Sequence, residues 1–201
     1  MRVSRLRAAE NRETVINVAS HLFRERGFDG IGLKDIMKGA GLTQGAFYKQ
    51  FASKNDLVAQ ASKRALESAF HRWSAAAETN PEDPLGAVLA FYLSMDHCEE
   101  RMDGCPIVGL GSDAARQSSD VKSLFEDGIK THLEILARLT GKADSGEANS
   151  EAMAILSTMV GALVLARVVN DEQLSRHILQ AAAQNVLAGS PAGNEKNGSI
   201  Q

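Results

Sequence analysis

The interval from Leu33 to Phe51, "LKDIMKGAGLTQGAFYKQF", constrains the fold more than any other stretch of the 201 residues. Two runs with helical spacing, each too short to hold a buried face alone, stand either side of Ala40-Gly41-Leu42. Ile36, Met37 and Leu42 supply one apolar side. Gly41 suits a turn that needs positive φ, and Ala40 with Gly41 is expected to let the two short helices approach closely. Longer helical patterns precede and follow the pair, so the arrangement reads as a helix-turn-helix.

The remaining sequence keeps the same period. Arg12–Arg26 places Val15, Val18, Ala19, Leu22 and Phe23 at helical spacing, and Gly27 is positioned to end that helix. "SKND" at 53–56 has the form of a capping box. It opens a long helix through Leu57, Ala61, Ala65, Phe70 and Trp73, which "TNPEDP" at 79–84 ends. Further helices are expected at about 85–98, 106–117, 120–140, 150–169 and 173–188. "RMDGCP" at 101–106 is a compact turn, "GKADSGEANS" at 141–150 a flexible loop, and 189–201 a disordered tail. No alternating strand pattern survives, so the fold class is all-α.

The net charge of −3 hides an asymmetry. Residues 1–64 hold 12 Lys and Arg against 6 Asp and Glu, and the remainder 10 against 19. A basic head on an acidic body points to a polyanion at one end, the alternative being a basic face that is merely solvated. "MRVSRLRAAENR" is followed by no apolar run and is not read as a signal peptide. Ala152–Ala166 is uncharged but shorter than the roughly 18 residues of a membrane span. A helix buried on most sides is expected there, with no membrane partner. Cys98 and Cys105 require no disulfide framework and fit a reducing cytoplasm. "GLGSD" at 109–113 follows no strand, and His97, Cys98, Asp103 and Cys105 match no zinc spacing. No catalytic residue, cofactor or metal is expected, which leaves an all-α enzyme with an accessory basic head as a remote alternative.

A helix-turn-helix sets its second helix in the major groove with the first residues against base edges. Thr43 is the expected N-cap of that helix, whose free N–H groups can meet a phosphate. Gln44 is the candidate base reader, because its amide pairs with base edges. Gly45, with Ala46 beside it, leaves clearance for a groove, at a cost of up to about 1 kcal/mol in helix propensity. Tyr48 and Lys49 are phosphate candidates, as are Lys34 on the first short helix and Lys54 at the start of the long one. Phe47 and Phe51, four residues apart, are expected to face the core.

"GFDGIGLKDIMKGAGLTQGAFYKQFASKNDL" (27–57) resembles the N-terminal DNA-binding domain of TetR-family transcriptional regulators. The likeness is carried by Gly27-Phe28, Ala40-Gly41, Leu42, Thr43, Gly45, Tyr48, Phe51 and Ser53-Lys54. Many members carry Thr or Ser where Ile31 and Gly32 stand, and His where Gln50 stands. The resemblance implies a three-helix head with the helix-turn-helix at 1–53 and a helical bundle for ligand sensing and dimerisation at 54–188, linked by the helix at about 54–77. It further implies a homodimeric repressor on a palindromic double-stranded operator, released when an unknown small-molecule inducer binds the body.

The body resembles a TetR subgroup with Gly-Cys-Pro at the place of Gly104-Cys105-Pro106. Phe70, Trp73, Phe91, Tyr92, Met95 and Phe125 fit either an inducer pocket, with Cys105, or plain core. Leu156, Met159, Gly161, Leu163 and Val164, with Leu174 and Ile178 on the final helix, are the dimer-interface candidates, an internal core being the alternative. Pro106 suits a first helical position, which puts Cys105 at an N-cap where a helix dipole favours thiolate. Covalent modification or oxidation at Cys105 is therefore the alternative trigger to a bound inducer.

Overall fold

The structure is a computed structural model and describes residues 5–141 and 146–189, the side chains of 146–149 excepted. The tail expected at 189–201 lies outside the described residues beyond Gly189, as does the loop expected at 141–150 over 142–145. Nine α-helices and one 3₁₀ helix form the regular structure of the described residues, with no strand among them. They are α1 (Arg5–Arg26), α2 (Leu33–Gly39), the 3₁₀ helix (Gln44–Lys49), α3 (Lys54–Glu78), α4 (Pro84–Tyr92) and α5 (Met95–Glu99). Then follow α6 (Pro106–Ala114), α7 (Ser119–Leu139), α8 (Gly146–Val168) and α9 (Glu172–Gly189).

The helix expected at 85–98 is two helices. Leu93 leaves the helical path, and the Ser94 hydroxyl accepts the His97 N–H at 3.1 Å, so a capping side chain inside the apolar run starts a new helix. Elsewhere the ends follow their local chemistry. Gly27 has φ 77° and donates its N–H to the Phe23 carbonyl at 2.7 Å, closing α1. Ser53 Oγ accepts the Asp56 N–H at 3.1 Å, while Asp56 reaches back to the Ala52 N–H at 3.0 Å. Gly32 stands at the N-cap of α2 without a side chain to cap it, and Ile31 beside it is buried.

The described chain divides into two compact units, with boundaries inside α3, between Glu100 and Arg101, and inside α7. The first contains residues up to Ala69 together with Arg101–Gly128. Its core gathers Val15, Ile16, Ala19 and Phe23 of α1 with Phe28, Ile36, Met37, Phe47, Phe51 and Leu57, and also Leu110, Val121 and Phe125. A Cβ on Gly41 would meet nothing within 4 Å, so this glycine answers to its φ of 70° and not to close packing. The close approach is at Gly39, where a Cβ would fall 2.9 Å from Val18 of α1.

The segment 101–128 joins the head through polar contacts on the end of α1. Arg24, 4% exposed, donates to the carbonyls of Ser20 at 3.1 Å and Gly104 at 3.2 Å, and lies 3.4 Å from the Asp103 carboxylate. Asp113 accepts the Phe28 N–H at 3.0 Å, and a Cβ on Gly109 would come within 3.1 Å of the Arg24 carbonyl. The packing unit runs past residue 53, where the sequence suggests a division, to Ala69, and also takes in α6.

The second unit contains Phe70–Glu100 and the chain from Ile129 onward. Here α8 and α9 pair, with Ile155, Leu156, Met159, Leu163, Leu179 and Val186 buried. Residues 150–168 of α8 are long and apolar enough to cross a membrane by length and composition, and only 39% of the window is buried. The expectation of a helix buried on most sides is therefore corrected: α8 keeps an outer apolar face. Arg167 near the end of α8 donates to the carbonyls of His97 and Cys98 at 2.9 Å and of Glu100 at 3.1 Å. These are carbonyls that the five-residue α5 cannot satisfy internally.

Candidate nucleic-acid interface

The second element of the helix-turn-helix is a 3₁₀ helix and not the expected α-helix. Its bonds run from residue i+3 to i, as from the Ala46 N–H to the Thr43 carbonyl at 3.0 Å. Thr43 takes the N-cap position with φ −80° and ψ 149°, but its hydroxyl makes no cap bond. The tighter winding still divides the side chains. Phe47 is fully buried and stacks on Phe51 with ring centres 5.3 Å apart, whereas Tyr48 is 71% exposed.

Thr43, Gln44, Gly45, Tyr48 and Lys49 form the open face, with Ala46 half-buried at its edge. A Cβ on Gly45 would meet nothing of the protein within 4 Å, so the missing side chain is not required by the fold. Lys34 is exposed on α2. Lys54 is half-buried, its ammonium 3.9 Å from the exposed Asp29 carboxylate. All eight candidate residues lie in the first unit, on α2, on the 3₁₀ helix with its N-cap, and at the start of α3.

Sequence reasoning missed Arg12. Its guanidinium lies 4.4 Å over the Phe51 ring and donates to the Gln50 carbonyl and to Gln60 Oε1, the latter at 2.9 Å. It fixes the end of the 3₁₀ helix to α1 and α3. The signal was present: Arg12 occupies the same helical stripe as Val15, Ile16, Ala19 and Phe23, where an apolar residue belongs.

The pocket candidates separate between the units. Phe70, Trp73, Phe91, Tyr92 and Met95 fall in the second, and Cys105 and Phe125 in the first, where Phe125 is core. In the second unit Trp73 meets Tyr92 edge-on at 5.5 Å and His132 at 4.6 Å. His97, absent from the candidates, stacks on Phe91 at 5.3 Å and donates from Nδ1 to the Tyr92 carbonyl at 2.7 Å. Burial pulls its pKa from 6.5 down to about 4, helped by the positive charges of Arg167 and Arg72. The ring is neutral at pH 7. Cys105 does occupy the N-cap of α6 ahead of Pro106, and both it and Cys98 are buried free thiols.

Of the dimer candidates, Leu156, Met159 and Leu163 are buried within the chain itself, and Gly161 and Ile178 are half-buried. Val164, and Leu174 and Leu187 of the final helix, are exposed, with Leu165 and Val168 adding apolar surface that the sequence reading left out.

The family description "Bacterial regulatory proteins, tetR family" matches residues 15–61, which take in the second half of α1, α2, the 3₁₀ helix and the start of α3. Over this stretch the chain is similar to the tetR family of bacterial regulatory proteins. Over 189 residues, 89% of this chain and 94% of the relative, it is 23% identical to the HTH-type transcriptional repressor NemR of Escherichia coli K12. The crystal structure of reduced NemR superposes with a TM-score of 0.74, at 22% identity, covering 88% of this chain and 95% of that one. A TetR transcriptional regulator from Chloroflexus aurantiacus is 25% identical, with a TM-score of 0.75, covering 89% and 95%. With a DNA-binding domain of this type at 15–61, the chain is a DNA-binding transcriptional regulator.

Proposed function

We propose that this regulator is a cytoplasmic repressor that acts as a homodimer on a palindromic operator and is released by a small-molecule inducer held in its second unit, with no catalysis and no cofactor. The observation that carries the reading is the division of the 3₁₀ helix: Phe47 and Phe51 hold it to the core, while Thr43, Gln44, Gly45, Tyr48 and Lys49 stay outward. The exposed apolar residues of α8 and α9 support pairing with a second copy, because apolar surface left open on paired helices favours burial. The division into a head at 1–53 and a sensing body at 54–188, and the Gly-Cys-Pro subgroup, belong to the same proposal. The test is protection of the DNA upstream of its own gene, in a footprint with two-fold symmetry. Gln44→Ala and Tyr48→Ala are expected to lose at least tenfold in affinity; unchanged binding in both sinks the assignment of the recognition face.

A second reading keeps the DNA site and changes the trigger. Cys105 follows Gly104, whose carbonyl is held by the buried Arg24 of α1, so a bulky adduct on the thiol would disturb that contact. Treatment with N-ethylmaleimide is expected to release the protein from DNA, and Cys105→Ser to abolish that release at unchanged affinity. Release that persists in the variant leaves the inducer reading alone.

A further inference from the structure

The first two turns of α1 are not needed by the packing of the head. From Arg5 to Glu10 every residue is exposed, whereas beyond them the helix buries Val15, Ile16, Ala19 and Phe23. Leu6 is 72% exposed, and the first turn contains no acidic residue. Surface helices are held by an apolar stripe, and a stretch this short is marginal in water by itself. The segment Arg5-Leu6-Arg7-Ala8-Ala9-Glu10 has no such stripe, and its two arginines precede its single carboxylate.

Its position follows from Arg12. That residue fixes the next turn of α1 against Gln50 and Phe51, at the end of the 3₁₀ helix. At 1.5 Å per residue, Arg7 and Arg5 stand about 7.5 and 10.5 Å farther along the axis, past this junction. The exposed Lys49 lies immediately before it. Exposed positive side chains therefore stand on both sides of this junction, Lys49 at the candidate interface and Arg5 and Arg7 on the start of α1.

We propose that the first two turns of α1 form a basic arm that binds the phosphate backbone of DNA flanking the bases faced by Gln44 and Tyr48. The inference rests on the DNA-binding reading and extends its interface. Continuity with that interface and charge complementarity select this occupant. A bilayer surface fits poorly, because an interfacial helix needs a broad apolar face and the arm offers one leucine. The contact carries no sequence information: exposed arginines on phosphate set affinity and register, and base edges are read elsewhere.

The experiment uses the full chain and the DNA upstream of its gene, with binding followed by fluorescence anisotropy over a salt series. Each phosphate neutralised contributes about 0.9 to the slope of log affinity against log salt. Arg5→Gln/Arg7→Gln is expected to flatten the slope by about 1.8 per bound protomer and to weaken binding at least tenfold at low salt. Hydroxyl-radical protection should be lost only at the flanks. Arg5→Lys/Arg7→Lys should keep the slope, since a point charge suffices. A double Gln variant with unchanged slope and footprint overturns the arm. So does loss of binding to phosphatidylglycerol vesicles with DNA binding intact, which assigns the arm to a membrane surface. Failure of the wild type to bind any upstream DNA sinks the regulator reading as well, whereas wild-type binding matched by the variant sinks the arm alone.

Discussion

The 3₁₀ helix of the first unit and the aromatic–histidine cluster of the second use polar groups in opposite ways. In the first, Phe47 is buried while Gln44, Tyr48 and Lys49 are exposed, so core residue and candidate DNA contacts alternate along one short element. In the second, His97 and His132 are buried beside Trp73 and Tyr92 and hold the fold from within. Variants on the outer face should therefore alter DNA binding at constant stability, whereas buried positions should alter stability first.

The largest effect expected is at Phe47. Phe47→Ala removes a fully buried ring stacked on Phe51 and should cost about 3–5 kcal/mol in urea unfolding. Tyr48→Ala, one residue on, should change stability by less than about 0.5 kcal/mol while DNA binding falls. Comparable stability losses in the two would mean that the exposed ring packs, and the division of the element would fail.

His97 tests the other side of the comparison. Its folded pKa of about 4 lies below the 6.5 of the unfolded chain, so between these values the unfolded state binds more protons. Stability is complete above about pH 6.5 and is lost as pH falls toward about 4, by on the order of 3 kcal/mol. Trp73, the single tryptophan, lies in the same cluster and reports the transition by fluorescence. Denaturation at pH 7 and pH 5 should show the loss in the wild type, and His97→Gln should reduce it. An equal pH dependence in the variant assigns the effect to other groups.

How far the sequence could be read follows the same division. Gly27 and Gly41 at positive φ, the Ser53 cap and the inward Phe47 and Phe51 are local facts, set by residues within one turn. The 3₁₀ winding was not legible, because side-chain spacing over six residues does not distinguish it from an α-helix. Nor were the contacts of Arg24 with Gly104 or of Arg167 with α5, which join residues 80 and about 70 positions apart. The dimer candidates show the limit most clearly. Helical period found apolar residues on α8, but tertiary packing decides that Met159 and Leu163 face in and Val164 and Leu165 face out.

Two hydroxyls at two helix starts give a smaller contrast. Ser53 Oγ accepts the Asp56 N–H, and Ser53→Ala should cost about 1 kcal/mol. Thr43 makes no cap bond, so Thr43→Ala should leave stability unchanged and weaken DNA binding alone. A stability loss at Thr43 equal to that at Ser53 would show that the cap forms in solution.

Gly45→Ala sharpens the comparison most finely, because its two effects should have opposite signs. The added Cβ meets no protein atom within 4 Å, and the backbone there has no positive φ. Alanine also restricts the unfolded chain, so the variant should gain a few tenths of a kcal/mol, up to about 1. If the open face is pressed into a groove, the same methyl stands between helix and DNA and affinity must fall. Thermal unfolding and operator titration on one preparation separate the terms. A more stable variant that binds DNA as tightly as the wild type would show that Gly45 gives no clearance, and the groove-facing side of the helix would have to be sought elsewhere.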